Sequence, residues 1–238
     1  ISISAIASGA QVVTIISPDG PLPVVVASDK EEQYRGAKVQ AHQAAAADLC
    51  DYLGRVTGRD MQPDQDVPNA KVTIHVGPDA FVLEHAPEVK ELFADGFVLK
   101  HITVKGQQHI ILSGIRLFSS RWAVEEFLKQ FCGVRWLFPG DVKYGEIVPS
   151  RPTITVDSGL DQKYEPDYLN RALSAMNYYD NTRAYLRLRA FRSGPFGDHE
   201  FQKIFSTEEF KAHPEWFAYF MDNEKTKSGR GWKNGQPQ

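Results

Sequence analysis

The chain has 238 residues, 42% of them hydrophobic and 24% charged, with a formal net charge of -3; this is the mix of a folded globular protein of one or two domains, not of a disordered tail. The slightly acidic balance excludes nucleic acid as a main partner, because phosphate binding needs a concentrated basic surface. No apolar run approaches the ~20 residues of a membrane-spanning helix, so no membrane partner is expected.

Ile1 to Ala10 are small and apolar without the basic start of a signal peptide, and read as a remnant of leader cleavage or a loose terminus. Val12 to Ile16 and Val24-Val25-Val26 are β-branched and flank the turn-forming Pro18-Asp19-Gly20-Pro21, which predicts two short strands. From Arg35 to Thr57, Ala41, Ala45, Leu49, Leu53 and Val56 recur at intervals of three and four, predicting a helix with one apolar stripe and Gly58 at its C-cap. Val72, Ile74 and Val76 alternate with polar residues as in a half-buried strand. Phe97 to Val104 and His109 to Ser113 follow as a hairpin joined by Lys105-Gly106-Gln107-Gln108.

Histidines 75, 101 and 109 all fall on these strands. Without a close-spaced ligand partner, His75, His101 and His109 read as solvent-facing positions. Ser119 and Ser120 are good N-caps for a helix with Val124, Phe127, Leu128 and Phe131 on one face, Glu125, Glu126, Lys129 and Gln130 on the other, and Gly133 as its stop. Cys50 and Cys132 lack metal-ligand or Cys-x-x-Cys spacing and read as buried thiols, with a disulfide left open. Two long helices interleaved with about five strands predict an α/β (α+β) fold, a mixed β-sheet with helices on one face.

Between Asp141 and Pro166, prolines 149, 152 and 166 punctuate the short β-like pieces Glu146 to Val148 and Thr153 to Val156, which marks a domain boundary. Beyond it aromatic residues become dense, and Asn223 to Gln238 form a polar tail that reads as a loop or a disordered end. A basic cluster, Arg183, Arg187, Arg189 and Arg192, has the spacing of a solvated helix face. No dinucleotide fingerprint, P-loop, serine elbow or His-Glu-x-x-His occurs, and His199 and His213 are too far apart for a one-helix metal site, so neither a cofactor nor a metal is expected.

Three segments together carry a family resemblance: Ile111-Leu112-Ser113-Gly114, Arg121-Trp122-Ala123-Val124-Glu125-Glu126-Phe127-Leu128, and Cys132-Gly133-Val134-Arg135-Trp136-Leu137-Phe138-Pro139-Gly140. They resemble the N-terminal domain shared by bacterial α-glucuronidases, β-hexosaminidases and a related family of uncharacterised secreted proteins. Pro166-Asp167-Tyr168-Leu169-Asn170-Arg171, Gly197-Asp198-His199-Glu200-Phe201 and His213-Pro214-Glu215-Trp216-Phe217 resemble downstream motifs of the uncharacterised family, the first at the opening strand of a barrel. The corner Gly133 to Gly140 has a packing reading of its own, with Trp136 and Phe138 as plugs between helix and sheet.

The resemblance implies a secreted or periplasmic glycoside-hydrolase-like protein acting on complex carbohydrates. Residues 1–160 would form the N-terminal α/β domain and residues 161–238 the first part of an incomplete TIM-type barrel, since a whole barrel takes ~250 residues. In the resembled glycosidases the catalytic acid and nucleophile come from later strands, so the catalytic residues are unknown and these residues alone are expected to be inactive. The partners implied are an oligo- or polysaccharide and the remainder of the barrel.

Three residues stand as candidate substrate contacts. Arg171, at the end of the first barrel strand, either clamps a sugar carboxylate or hydroxyls or pairs with a carboxylate as a buried strut. His199 lies in a Gly- and Phe-rich loop suited to binding, and Trp216 either stacks on a sugar ring or packs in the core beside Phe217 and Phe220. The competing reading is a non-catalytic carbohydrate-binding or structural module.

Overall fold

The computed structural model describes residues 11–34, 37–116, 118–137, 145–168 and 207–213, together with four two-residue strands near the C-terminus. Contacts divide the chain into two units, Ile1–Phe191 and Arg192–Gln238. In the first unit, β1 (Val12–Ile16) is followed by β2 (Val24–Ala27), then by a small hairpin of β3 (Glu32–Tyr34) and β4 (Ala37–Val39). Helix α1 spans Ala41–Thr57, starting later than its apolar spacing predicts because that hairpin takes up the preceding residues. Gly58, with φ 74°, closes α1 by donating its N–H to Gly54 O, the C-cap expected from sequence.

Next come β5 (Val72–Val76), the short helix α2 (Ala80–His85) and a 3-10 turn (Pro87–Glu91). The hairpin of β6 (Phe97–Val104) and β7 (Gln107–Ser113) then turns at only two residues, Lys105 and Gly106. Both have positive φ, the two-residue turn that matches strand twist, so the ladder runs two residues further than the four-residue loop expected. Helix α3 (Ser119–Phe127) continues as a π-helical turn (Leu128–Cys132) that ends at Gly133 with φ 75°. Four strands complete the unit: β8 (Arg135–Trp136) pairs with β9 (Glu146–Ile147), β10 (Ile154–Asp157) pairs with β1, and β11 is Asp161–Tyr164.

The main sheet is mixed, as expected, with strand order β11-β6-β7-β5-β2. Strands β2, β5 and β7 are parallel neighbours, and β6 and β11 run antiparallel at the other side. Helices α1 and α3 cover one face, and Ala45, Leu49, Leu53, Ile74, Leu99, Ile110, Leu112, Trp122 and Phe127 form its dry core. On the second face lies a smaller cluster of Val82, Ala86, Val89 and Leu92 against Val98 and Ile111, supplied by α2 and the 3-10 turn, which have no periodicity long enough to be read from sequence.

Three local expectations change, and the reading of the cysteines as buried thiols holds. The strand histidines are not solvent-facing: His75 is 6% and His101 8% exposed, and His109 is half-buried, because neighbouring polar groups supply the hydrogen bonds that water would have made. Ser119 and Ser120 do not cap α3; Phe118 holds the cap position, and both serines are fully buried in the first turn. There Ser120 Oγ lies 3.0 Å from His42 Nδ1. Glu125 and Glu126 are buried, not solvated; the first pairs with Arg121 at 3.4 Å, and Arg121 also pairs with Asp48. Cys50 and Cys132 are free and buried, and burial pushes both thiols up to about 12.

The motif ending in Gly114 has a packing cause. A Cβ on Gly114 would come within 2.2 Å of Ser119 Cβ and 2.3 Å of Gly96 O, so the end of β7 and the start of α3 pass too close for any side chain. Trp136 packs beside the core and donates through Nε1 to Tyr52 Oη at 2.9 Å, consistent with the plug read from sequence. Its companions Phe138, Pro139 and Gly140 lie outside the described residues.

In the second unit, helix α4 (Thr207–Ala212) precedes two short antiparallel pairs, β12 (Tyr219–Phe220) with β13 (Gly229–Arg230) and β14 (Trp232–Lys233) with β15 (Gln236–Pro237). The polar tail read as a loop therefore carries strand pairing. Among the described residues no barrel closes. No described helix is long and apolar enough to cross a membrane.

Candidate functional site

The edge strand β11 brings together residues far apart in sequence. Its pairing sets Tyr164 opposite Phe97, and the two rings stack with centroids 4.8 Å apart and planes 14° from parallel. Tyr164 is fixed at its far end, since Gln130 Nε2 donates to its Oη at 2.7 Å and that hydroxyl donates to Gln162 Oε1 at 3.1 Å. Beneath the pair Trp122 is 2% exposed, held by α3. Gly96, at the start of β6, has no room for a Cβ, which would lie 2.8 Å from Tyr164 O.

These groups wall a cleft of about 210 Å³ completed by Asp95, Glu165, Pro166, Asp167 and Tyr168. Tyr168 is 73% exposed, and Phe93, exposed at 51%, stands on the neighbouring turn. Glu165 Oε1 accepts from the Phe93 N–H at 2.6 Å, and its other oxygen lies 2.9 Å from Lys163 Nζ. That backbone N–H first, and Lys163 second, hold the Glu165 carboxyl below the usual carboxylate range. Asp95, Phe97, Trp122, Tyr164 and Tyr168 each make further interactions as well.

Aromatic faces beside carboxylates suit a polyhydroxylated ligand. Tyr168 offers an exposed flat ring to the C–H face of a sugar and carboxylates accept from its hydroxyls, while the buried Phe97 and Trp122 form the apolar floor. Trp122, Pro166, Asp167 and Tyr168 belong to motifs singled out in the sequence; Asp95 does not, and Phe97 and Tyr164 meet only through the β11–β6 pairing.

The three substrate contacts expected from sequence, Arg171, His199 and Trp216, lie outside the described residues, as do Ile1 to Ala10, the Arg183 to Arg192 cluster and most carboxylates of the second half. Of the downstream motifs, His213 is described and exposed. Among the described residues no group of three or more His, Cys, Asp or Glu side chains is arranged to hold a metal.

Fold and cleft together define an α/β domain whose edge strand leads straight into an aromatic, carboxylate-bordered cleft. Residues 142–236 match a family model described as a domain of unknown function (DUF4838), which supports a relation to an uncharacterised family over less than half of the chain. Among curated proteins none matches.

Proposed function

We propose that this chain is the N-terminal part of a glycoside-hydrolase-like protein acting on complex carbohydrates, of α-glucuronidase or hexosaminidase type, working in a secreted or periplasmic setting. The observation that carries the reading is the cleft between Trp122, the Phe97–Tyr164 pair and Tyr168. It opens beside β11, the last strand of the main sheet in chain order, and the residues that follow it, Pro166 to Tyr168. In this reading residues 1–160 are the accessory domain, residues 161–238 open the barrel, and Arg171, His199 and Trp216 add sugar contacts.

One observation favours the second reading, a non-catalytic carbohydrate-binding or structural module. Glu165, the cleft carboxylate nearest the stacked pair in sequence, is committed to the Phe93 N–H and Lys163 and so is placed to shape the cleft more than to transfer a proton. Titration calorimetry against neutral, amino-sugar and uronic-acid oligosaccharides, run beside an aryl-glycoside assay, tests both readings. Binding without turnover is expected, and Tyr168→Ala should weaken it roughly 2- to 10-fold, the range of one aromatic contact. Failure to bind any of the three classes overturns the carbohydrate reading, and clear turnover overturns the binding-module reading.

A further inference from the structure

The second face of the sheet carries a chain of three titratable side chains that the carbohydrate reading does not use. Asp79 caps α2 by accepting from Val82 N–H through Oδ1 at 2.7 Å, and its Oδ2 lies 2.8 Å from His75 Nδ1. His75 Nε2 lies 3.1 Å from His109 Nδ1. Parallel pairing sets Thr73 opposite His109, so His75 and His109 are diagonal neighbours on one face.

The proton positions follow from the carboxylate. Hydrogen bonds from His75 and two backbone N–H groups outweigh burial and keep Asp79 below the usual carboxylate range, so it only accepts. His75 therefore donates from Nδ1, its Nε2 accepts, and His109 donates from Nδ1. A further proton leaves the chain intact: His75 then carries both N–H groups, donates to Asp79 and to His109 Nδ1, and His109 keeps its one proton on Nε2. With two further protons, N–H faces N–H across the same gap and the contact parts.

The helix is tied to the sheet through this chain. Phe81, on α2, stacks on His75 and His109 with centroids 4.3 Å away from each, and on His85 at 4.2 Å. Other charges facing the pair are few. Register sets Ile102 of β6 beside His109 and Val26 of β2 beside His75, and Lys100 of β6 is engaged by Glu88 and Asp161. Glu84 and His85 come from α2, and His101 lies on the opposite face, bonded to Ser158 O and Gln108. No carboxylate but Asp79 makes a hydrogen bond with the pair among the described residues.

We propose that Asp79, His75 and His109 form an acid-opened latch: it holds with none or one added proton, and the second frees α2 and the 3-10 turn from the sheet while the α1 face stays folded. Burial, then the neighbouring His75, His85 and His101, lowers His109 to about 4. Because a freed His109 would titrate near its ordinary value of 6.5, opening is favoured progressively as pH falls from there toward about 4 and gains nothing further below it.

Amide hydrogen exchange of the full chain at pH about 7, 5.5 and 4.5, corrected for intrinsic rates, tests the latch. Protection over residues 79–92 should fall at least ~10-fold relative to α1. His109→Gln, whose amide can donate to His75 without titrating, should flatten that fall, and His85→Gln should preserve it. Equal loss over α1 and residues 79–92, or an unchanged fall in His109→Gln, overturns the proposal. If that variant does not fold, imidazole 15N NMR of the unaltered chain decides: the expected result is His75 protonated at Nδ1 at neutral pH and His109 titrating toward about 4, and titration of His109 near its ordinary 6.5 overturns it.

Discussion

One face of the five-stranded sheet is covered by the 17-residue α1 together with α3, and the other by the six-residue α2 and a 3-10 turn. On the first face a single large apolar cluster, with Ala45 and Phe127 among its members, encloses a buried polar contact, His42 with Ser120. On the second, a small apolar cluster shares the surface with a chain of hydrogen-bonded histidines anchored on one carboxylate. Apolar burial is indifferent to pH, whereas a hydrogen-bonded imidazole pair depends on the number of protons it carries. The first face is therefore held mainly by packing, with the buried imidazole of His42 bonded to Ser120, whereas on the second a hydrogen-bonded imidazole pair carries the tie to the helix.

The largest test of that contrast is Phe127→Ala. Phe127 is fully buried on the first face, and its loss should cost about 3–5 kcal/mol in chemical unfolding at any pH where the protein folds. A pH-dependent cost would break the comparison. Gly114→Ala comes next, at about 1–3 kcal/mol from overpacking, because the added methyl meets both Ser119 Cβ and the Gly96 carbonyl; an unchanged thermal midpoint would show that this corner yields.

On the second face, Asp79→Ala should cost about 0.5–2 kcal/mol at neutral pH, the range of a lost helix cap, read as the shift in the urea midpoint. Its folded carboxyl lies below the ordinary value, so its contribution is present above about pH 4 and disappears as pH falls through the lowered value. Wild type and Asp79→Ala should therefore converge in acid, and a constant gap would contradict the assignment. The smallest effect is expected of Lys163→Ala, whose pair with Glu165 is half-exposed; a change beyond about 0.5 kcal/mol would show that the cleft margin is coupled to the core.

The two faces also differ in how well they could be read in advance. Ala45, Leu49, Leu53 and Val56 announced α1 because a buried helix face repeats every three or four residues, and all four are buried. The strand alternation of Val72, Ile74 and Val76 was equally plain, but the same rule assigned His75 to solvent. Alternation separates the two sides of a strand without saying what covers the polar side. Helix α2, which the structure shows capped by Asp79, was not predicted, because six residues are too few to show periodicity.

The cleft was legible only in part. Trp122, Asp167 and Tyr168 stand in motifs recognised in the sequence, whereas Asp95 stands in none and the Phe97–Tyr164 pair is made by strand pairing, which no local pattern encodes. Mixed-sheet class and helix stops were accessible because they follow from local rules; the site depends on contacts between distant segments.

The pairing of β10 with β1 and of β11 with β6 bears on how this protein can be dissected. Both C-terminal partners lie inside the matched family segment, residues 142–236, while both N-terminal partners lie outside it. A fragment cut at the family limit would leave β1 and the rim of β6 with unpaired backbone N–H and C=O groups, and unpaired strand edges recruit other chains. The two pieces should be insoluble when made apart and regain solubility when produced together, with each supplying the strand the other lacks.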